Sequence, residues 1–184
     1  MSIDETFVAY HEAGHAVAAF KHRIRYRYVS IIPDDSGTFG RVLLTLSSDD
    51  SIYYLDDPTD SERCLFERRI ITYYAGYVAE AKHQNIELDS RGDYGADWEN
   101  AIEHARFACG SLEEEYAFAE WLFYRTIVMF RIPRNWKMVE ALAAELLKRK
   151  KIGYIDSRRI MCKATESDQI KWVDGKLVVP RIQE

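Results

Sequence analysis

Apolar residues recur at a helical period near the start of the 184-residue chain, where they mark one side of a helix. Asp4 and Glu5 suit the first turn of such a helix, because the helix dipole favours negative charge there. The pattern therefore predicts an α-helix over about residues 3–21. The positions that form the stripe are Phe7, Val8, His11, His15, Ala18 and Ala19.

The pattern changes after this helix to β-branched and aromatic residues, which are typical of strands. It predicts one strand over 26–33, ended by Pro33, and a second over 39–46, with a turn at 34–37. The two strands would form a small sheet beside the first helix. Its edge could pair with an extended peptide through backbone hydrogen bonds, or the unit could be only a scaffold; the residues leave both open.

Helical periodicity returns near residue 60 and continues through most of the chain. It predicts helices over about 62–84, 93–108, 112–131, 135–151 and 155–161. Asp60 or Ser61 is expected to cap the first of these helices, and Asp93 the second. The third is very aromatic, which favours core packing over a recognition surface.

The last stretch alternates about Asp174-Gly175, a two-residue turn signal that predicts a β-hairpin over 170–179. The fold class is therefore mainly α, with a small β-sheet near the first helix and a C-terminal β-hairpin. We expect one domain over 1–165 and a hairpin appendage over 166–184.

The first helix carries the motif that bears chemistry, His11-Glu12-x-x-His15. Histidines at i and i+4 lie one turn apart on the same face, so both can bind one zinc ion. Glu12, next to the first ligand, can then take a proton from a metal-bound water. The motif also arises by chance on ordinary amphipathic helices, but small residues around the histidines allow other segments to approach closely.

A catalytic zinc takes three protein ligands, so a third must come from elsewhere in the chain. His22 follows on the same helix, but at about 1.5 Å per residue it lies roughly 10 Å beyond the pair. The later helices supply the remaining candidates, and spacing alone does not choose among them. They are Glu80, His83, Asp93, Asp97, Glu103 and His104.

Composition narrows the functional classes. The net charge of −5 argues against a nucleic-acid surface. Three widely spaced cysteines make neither a disulfide framework nor a structural zinc site, which favours a reducing compartment. We expect no signal peptide and no membrane span, because no run of about 18 apolar residues occurs, and hence a cytoplasmic protein.

Five segments of the chain carry recognisable motifs: Tyr10-His-Glu-Ala-Gly-His-Ala-Val17, Val29-Ser-Ile-Ile-Pro33, Ala75-Gly-Tyr-Val-Ala-Glu80, Gly92-Asp-Tyr-Gly-Ala-Asp97-Trp-Glu-Asn-Ala101 and Tyr154-Ile-Asp156. In sequence and in order along the chain they resemble the peptidase domain of the FtsH-type membrane AAA zinc proteases. The resemblance extends over roughly residues 5–162, and the first segment is the most specific.

This resemblance implies a helical zinc-peptidase domain of FtsH type. It implies that His11, His15 and Asp97 bind Zn²⁺, that Glu12 is the general base, and that Glu80 steadies a ligand or its helix. For Glu80, a salt bridge to an arginine is an equal alternative. The expected function is a zinc-dependent metalloendopeptidase that hydrolyses peptides or unfolded proteins.

The chain also departs from that family. It has no Gly-x-x-x-x-Gly-Lys-Ser/Thr segment, and Ala75 and Tyr77 replace a family glycine and arginine. We therefore expect hydrolysis without ATP, and leave open an ATPase partner acting in trans and a homo-oligomer built on the hairpin or the 112–131 helix. The competing hypotheses are a zinc-containing peptide-binding or regulatory module with lost or latent activity, and a metal-free structural helical domain.

Overall fold

A computed structural model describes residues 4–33, 40–44, 59–89 and 95–166, together with the backbone of 171–173 and 176–178. The prediction of a mainly α fold is confirmed. The elements in chain order are α1 (Glu5–Lys21), β1 (Tyr26–Ser30), β2 (Arg41–Leu44), α2 (Asp60–Gln84), α3 (Ala96–Ala108), α4 (Leu112–Arg131), α5 (Pro133–Arg149), β3 (Lys151–Gly153), α6 (Tyr154–Ala164), β4 (Lys171–Val173) and β5 (Lys176–Val178).

The centre of the fold is the close packing of α1 on α2. The buried face of α1 consists largely of alanines, so the two helix backbones can approach each other closely. A Cβ atom at Gly14 would lie only 2.3 Å from the carbonyl oxygen of Ala75. Any larger residue at position 14 would therefore push α2 away from the helix that carries the two histidines.

The N-terminus of α2 differs from the prediction. Thr59 is the N-cap, whereas Asp60 is already the first helical residue. The carboxylate of Glu62 accepts a hydrogen bond of 2.7 Å from the backbone N–H of Thr59, as in a capping box. Several adjacent polar residues could each have capped this helix, and the box with Glu62 selects the threonine.

The sheet beside α1 has three strands rather than the predicted two, in the order β2-β1-β3. Both pairs are antiparallel, and Val29 of β1 pairs with Val42 on one side and with Ile152 on the other. Lys150 has a φ of 61°, which ends α5 and turns the chain back toward the sheet. The strand β3 is only three residues long and follows a helix directly, so its sequence carries no alternation to reveal it.

The two C-terminal helices and the hairpin follow the predicted order with shifted ends. Pro133 follows α4 and is the first residue of α5. Its missing N–H has no cost there, because the first N–H groups of a helix have no partner within the helix. The strands β4 and β5 pair antiparallel, with Trp172 opposite Leu177. The turn at 174–175, the turn at 34–37 and the outer ends of the predicted 39–46 strand lie outside the described residues. The predicted cap Asp93 also lies outside them, and the prediction that it caps α3 is wrong, because α3 begins at Ala96 with Gly95 as its N-cap.

His22, at the C-terminal end of α1, makes the stability of the fold pH-dependent. Burial and the nearby charges of Arg125, Arg68 and Lys21 lower its pKa to about 4 from 6.5. Between about pH 6.5 and 4 the unfolded chain therefore binds more protons, and the free energy of unfolding falls as pH decreases. We expect the free energy of unfolding of His22→Gln to fall by about 1–2 kcal/mol less than that of wild type over this pH range, allowing for solvent screening.

The measurement is denaturant unfolding of wild type and His22→Gln at pH 7 and pH 5. Groups elsewhere titrate equally in both proteins, so the difference between the two pH dependences belongs to position 22. An identical pH dependence in both proteins would contradict the assignment.

Candidate metal centre

The helix α1 places the two histidines of the motif side by side. His11 and His15 are one turn apart, and their Nε2 atoms are 3.0 Å from each other. His15 is buried, and His11 is only partly exposed to the cleft above it. The first turn of α1 is fixed by Asp4, whose carboxylate accepts a 2.8 Å hydrogen bond from the N–H of Thr6. The pair is therefore held on a well-capped, rigid helix.

The start of α3 brings Asp97 to the same point. Its Oδ2 atom lies 3.2 Å from the Nε2 of His11 and 3.1 Å from the Nε2 of His15. The next residue, Trp98, packs against Tyr74 of α2 and Phe123 of α4, with ring centroids 4.7 and 5.4 Å apart. This aromatic contact anchors the first turn of α3 against the core and so fixes the position of the carboxylate.

The opposite ring nitrogens of both histidines have hydrogen-bond acceptors. The Nδ1 of His15 lies 2.7 Å from the carbonyl oxygen of Thr72, and the Nδ1 of His11 lies 3.1 Å from the Oε2 of Glu80. Since a carbonyl oxygen can only accept, the proton of the neutral His15 ring is on Nδ1, and the carboxylate favours the same tautomer for His11. Both Nε2 lone pairs then face the carboxylate of Asp97.

The structure thus brings together three electron-pair donors, from His11, His15 and Asp97, within 4.8 Å of one another. With both Nδ1 atoms protonated, no hydrogen is left to separate the Nε2 atoms from each other or from Oδ2. The lone pairs of these three atoms repel one another unless a cation lies between them. Two imidazoles and one carboxylate are also a ligand set that Zn²⁺ accepts.

The charges of the cluster are strongly coupled. Burial raises the pKa of Asp97, but the histidines outweigh that effect and hold the pKa well below its usual range. Burial lowers the pKa of His11, but hydrogen bonds to Asp97 and Glu80 prevail and raise it to about 9. Without a metal, a proton therefore takes the place of the cation, and a metal must displace it.

Glu12 lies beside the cluster with its side chain only 5% exposed. Its Oε2 atom is buried and has no hydrogen-bond partner among the described residues. Burial raises the pKa of this carboxyl group, although the neighbouring histidines oppose the shift. Gly40, just before β2, lies so close that a Cβ there would be 2.5 Å from the Oε1 of Glu12. A buried carboxylate oxygen without a partner is costly, and such groups occur mainly where chemistry requires them.

A cleft of about 530 Å³ opens over these groups. One wall is the strand β2, through Arg41, Val42 and Leu44. The opposite side is formed by α1 and α2, where Phe7, Val8, Tyr73 and Tyr77 flank the polar groups of the cluster. The lining residues outside β2 are Phe7, Val8, His11, Glu12, His15, Gly40, Thr72, Tyr73, Tyr77, Glu80, Ala96 and Asp97.

The other ligand candidates do not join this set of donors. His83 stacks on Tyr10, with ring centroids 3.6 Å apart, and the ring of His104 is 2.8 Å from the carbonyl oxygen of Asn100. Glu103 is exposed on the outer side of α3, and Asp93 lies outside the described residues. Glu80 contacts His11 with one oxygen and accepts a 2.9 Å hydrogen bond from Gln84 with the other, which is the contact expected of a residue that orients a ligand.

Gly76 is part of the site, and the sequence reasoning did not single it out. A Cβ atom there would lie 2.3 Å from the Nε2 of His15 and 2.6 Å from the Nε2 of His11. The missing side chain therefore keeps open the space in front of both ring nitrogens. The sequence does contain a signal for this role, a glycine in the interior of a predicted helix. Glycine destabilises a helix interior, so it is expected there mainly where another group approaches closely.

We expect Gly76→Ala to weaken Zn²⁺ binding about 10–100-fold, because the new methyl group displaces both rings from their common focus. The matched control is Gly153→Ala, since a Cβ at Gly153 meets no described atom within 4 Å and its φ is −72°. Competition with a chromogenic chelator measures both affinities. Equal affinities in the two variants would mean that the metal does not occupy the space beside Gly76.

Comparison with known proteins adds no relative to this picture: neither a scan against protein-family models nor a search of curated proteins gives a match. Fold and site define a mainly helical protein with a two-histidine, one-carboxylate cluster at the junction of α1, α2 and α3. None of the described helices has the length and apolar character needed to cross a membrane.

Proposed function

We propose that this chain is a zinc-dependent metalloendopeptidase with the fold of an FtsH-type peptidase domain. One observation carries the proposal: the focus formed by His11, His15 and Asp97 lies beside a buried glutamate whose Oε2 has no hydrogen-bond partner among the described residues. A structural metal site has no use for such a carboxylate, whereas a hydrolytic site requires a base next to the metal.

The ligand set supports zinc as the metal. Three protein ligands leave one position open, as in catalytic zinc sites, while a structural site uses four. Zinc bound there supplies Lewis acidity, which acidifies water and polarises a peptide carbonyl. Glu80 and the carbonyl of Thr72 hold the two imidazole rings in the orientation that presents Nε2 to the ion.

Glu12 is the general base in this proposal. Its carboxylate takes a proton from the water that attacks the peptide carbonyl carbon, and it later delivers that proton to the amine nitrogen as the C–N bond breaks. Burial supports the role, because a raised pKa makes the carboxylate a stronger base than a solvated glutamate. The reaction uses only water and the peptide, so we expect it to proceed without a nucleotide.

The substrate is an extended peptide or an unfolded protein segment. Among the described strands, β2 lies at the edge of its sheet and forms one wall of the cleft, so the side of β2 that faces away from β1 is placed to pair with a substrate backbone next to Glu12. Backbone pairing of this kind requires an extended segment, which a folded substrate does not offer. This favours the binding-edge interpretation of the β1–β2 unit over the scaffold interpretation.

The test is cleavage of an unstructured, casein-like protein without ATP, together with metal analysis. We expect about one zinc per chain, cleavage in the absence of nucleotide, and loss of cleavage with a zinc chelator that zinc addition reverses. Zinc and peptide binding without cleavage would replace the peptidase by a zinc-containing peptide-binding or regulatory module. A chain that folds normally and binds no zinc would overturn both and leave a structural helical domain.

A further inference from the structure

The helix α4 has an apolar outward face in addition to its buried one. Leu122, Phe123, Thr126 and Phe130 face the core. On the opposite side, Trp121, Tyr124 and Val128 are 47%, 52% and 53% exposed. Residues 117, 121, 124 and 128 follow the 4-3-4 spacing of a helix–helix seam, and the first of them is an exposed alanine. One helix thus completes the core and also presents a second packing surface.

We propose that this seam, formed by Ala117, Trp121, Tyr124 and Val128, pairs with the same seam of a second copy of the chain, the two α4 helices running antiparallel about a two-fold axis near the helix centre. The proposal concerns assembly and is independent of the proposed hydrolysis.

The seam is complementary to itself when reversed. With the axis between residues 122 and 123, Trp121 of one copy lies beside Tyr124 of the other, and Ala117 lies beside Val128. The small residue then meets the β-branched one, and two aromatic rings meet at the centre. An isologous interface requires this kind of self-match, because every contact occurs twice. The pair of central aromatics is also the type of contact that dominates interface energies.

The charges on α4 favour the same antiparallel arrangement. Its first turn carries Glu113, Glu114 and Glu115, and its last turn carries Arg131. Glu113 and Arg131 lie on the same side of the helix, five turns of 3.6 residues apart. In the reversed pairing, Glu113 of each copy faces Arg131 of the other, while a parallel pairing would put like charges together. The charge pattern therefore selects both the partner and its direction.

The surface is of a size that suits a weak, transient dimer. An aromatic side chain buries about 150–250 Å² in full, so the half-exposed residues of the seam offer roughly 350 Å² per copy. About 700 Å² in total is below the size of a standard stable interface and within that of a transient one. We therefore expect a dissociation constant in the upper micromolar range.

Sedimentation velocity of the full chain from about 1 to 200 μM tests the proposal. We expect wild type to shift from monomer to dimer with concentration. Trp121→Glu should stay monomeric at every concentration, while Ile155→Glu, which changes a comparably exposed residue on α6, should dimerise like wild type. Circular dichroism establishes that both variants are folded. A monomeric wild type, or a dimer that Trp121→Glu leaves intact, would overturn the proposal.

The direction of pairing is tested by cross-linking in a background where the exposed Cys64 and Cys162 are replaced by serine. Ala117→Cys mixed with Val128→Cys should give a disulfide-linked dimer. Neither variant alone should cross-link, because equivalent positions would be about 16 Å apart, beyond disulfide reach. Cross-linking of each variant with itself would indicate parallel pairing, and no cross-link in the mixture would also overturn the proposal.

Charge reversal gives a control that does not depend on the apolar residues. Glu113→Arg and Arg131→Glu should each weaken the dimer, and the double variant should restore it, because the pair is then reversed rather than lost. If the double variant does not regain the dimerisation of wild type, Glu113 and Arg131 do not meet across the interface.

Discussion

Replacing Glu12 by glutamine should reduce peptide hydrolysis by about 10²–10⁴-fold while the protein keeps its zinc. The amide has the size and shape of the carboxylate but cannot take a proton from water. No hydrogen bond to Oε2 is lost, since that atom has no partner among the described residues. A neutral group in this buried position also avoids the desolvation that raises the pKa of the native carboxyl group, so the variant should fold at least as well as wild type.

The measurements are the cleavage rate on an unstructured substrate and the zinc content of the same preparations. Glu103→Gln is the matched control, because it makes the same chemical change on an exposed helix face outside the cleft. It should leave both quantities at the wild-type value. Wild-type cleavage by Glu12→Gln would remove Glu12 from the mechanism, and loss of zinc would make it a determinant of the metal site instead of a base.

Removing Asp97 or His15 should abolish zinc binding and hydrolysis together. Loss of a ligand from a three-ligand site should weaken the affinity by more than about 100-fold, beyond the 10–100-fold typical of a residue that only orients a ligand. Asp97→Ala is the sharper test, because its carboxylate joins the site from a different helix. Glu80→Gln should fall in the smaller range, since Glu80 contacts His11 through Nδ1 rather than through Nε2.

Competitive zinc titration and metal analysis of purified protein compare these variants. Asp156→Ala is the control, because that aspartate lies on α6 in an exposed ion pair with Arg149, 2.8 Å away. It should bind zinc like wild type. Full zinc occupancy in Asp97→Ala would exclude the carboxylate of Asp97 as a ligand. An effect of Glu80→Gln on zinc affinity as large as that of Asp97→Ala would mean that Glu80 does more than orient His11.

Local patterns predicted the helices well because most of them are long and their buried positions recur at a helical period. Capping side chains also mark the starts of α1, α2 and α4. The strand β3 was missed because its three residues gain their conformation only by pairing with β1. The cap of α2 was predicted at Asp60 or Ser61, one or two residues late, because Thr59, Asp60 and Ser61 are all suited to capping and only the contact with Glu62 distinguishes them. These errors lie where a nonlocal or reciprocal contact decides between local alternatives.

In the candidate site, too, local patterns predicted some residues and nonlocal contacts decided the others. His11, Glu12 and His15 lie within five residues, so helical geometry alone fixes their relation. The third donor did not follow from the residues, which left six candidates, and Asp97 was named only through the resemblance to the FtsH-type peptidase domain. The roles of Gly76 and of the Thr72 carbonyl were not anticipated, because each depends on how α2 crosses α1.

The sequence by itself therefore determined the helical class, the order of most elements and the histidine pair with its glutamate, since all of these rest on contacts between near neighbours in the chain. Only the tertiary structure decided which carboxylate joins the pair, which groups orient the rings, and where an edge strand borders the cleft. Those contacts join residues up to 86 positions apart, as between His11 and Asp97. Their geometry is set by the packing of α1, α2 and α3, which no local pattern encodes.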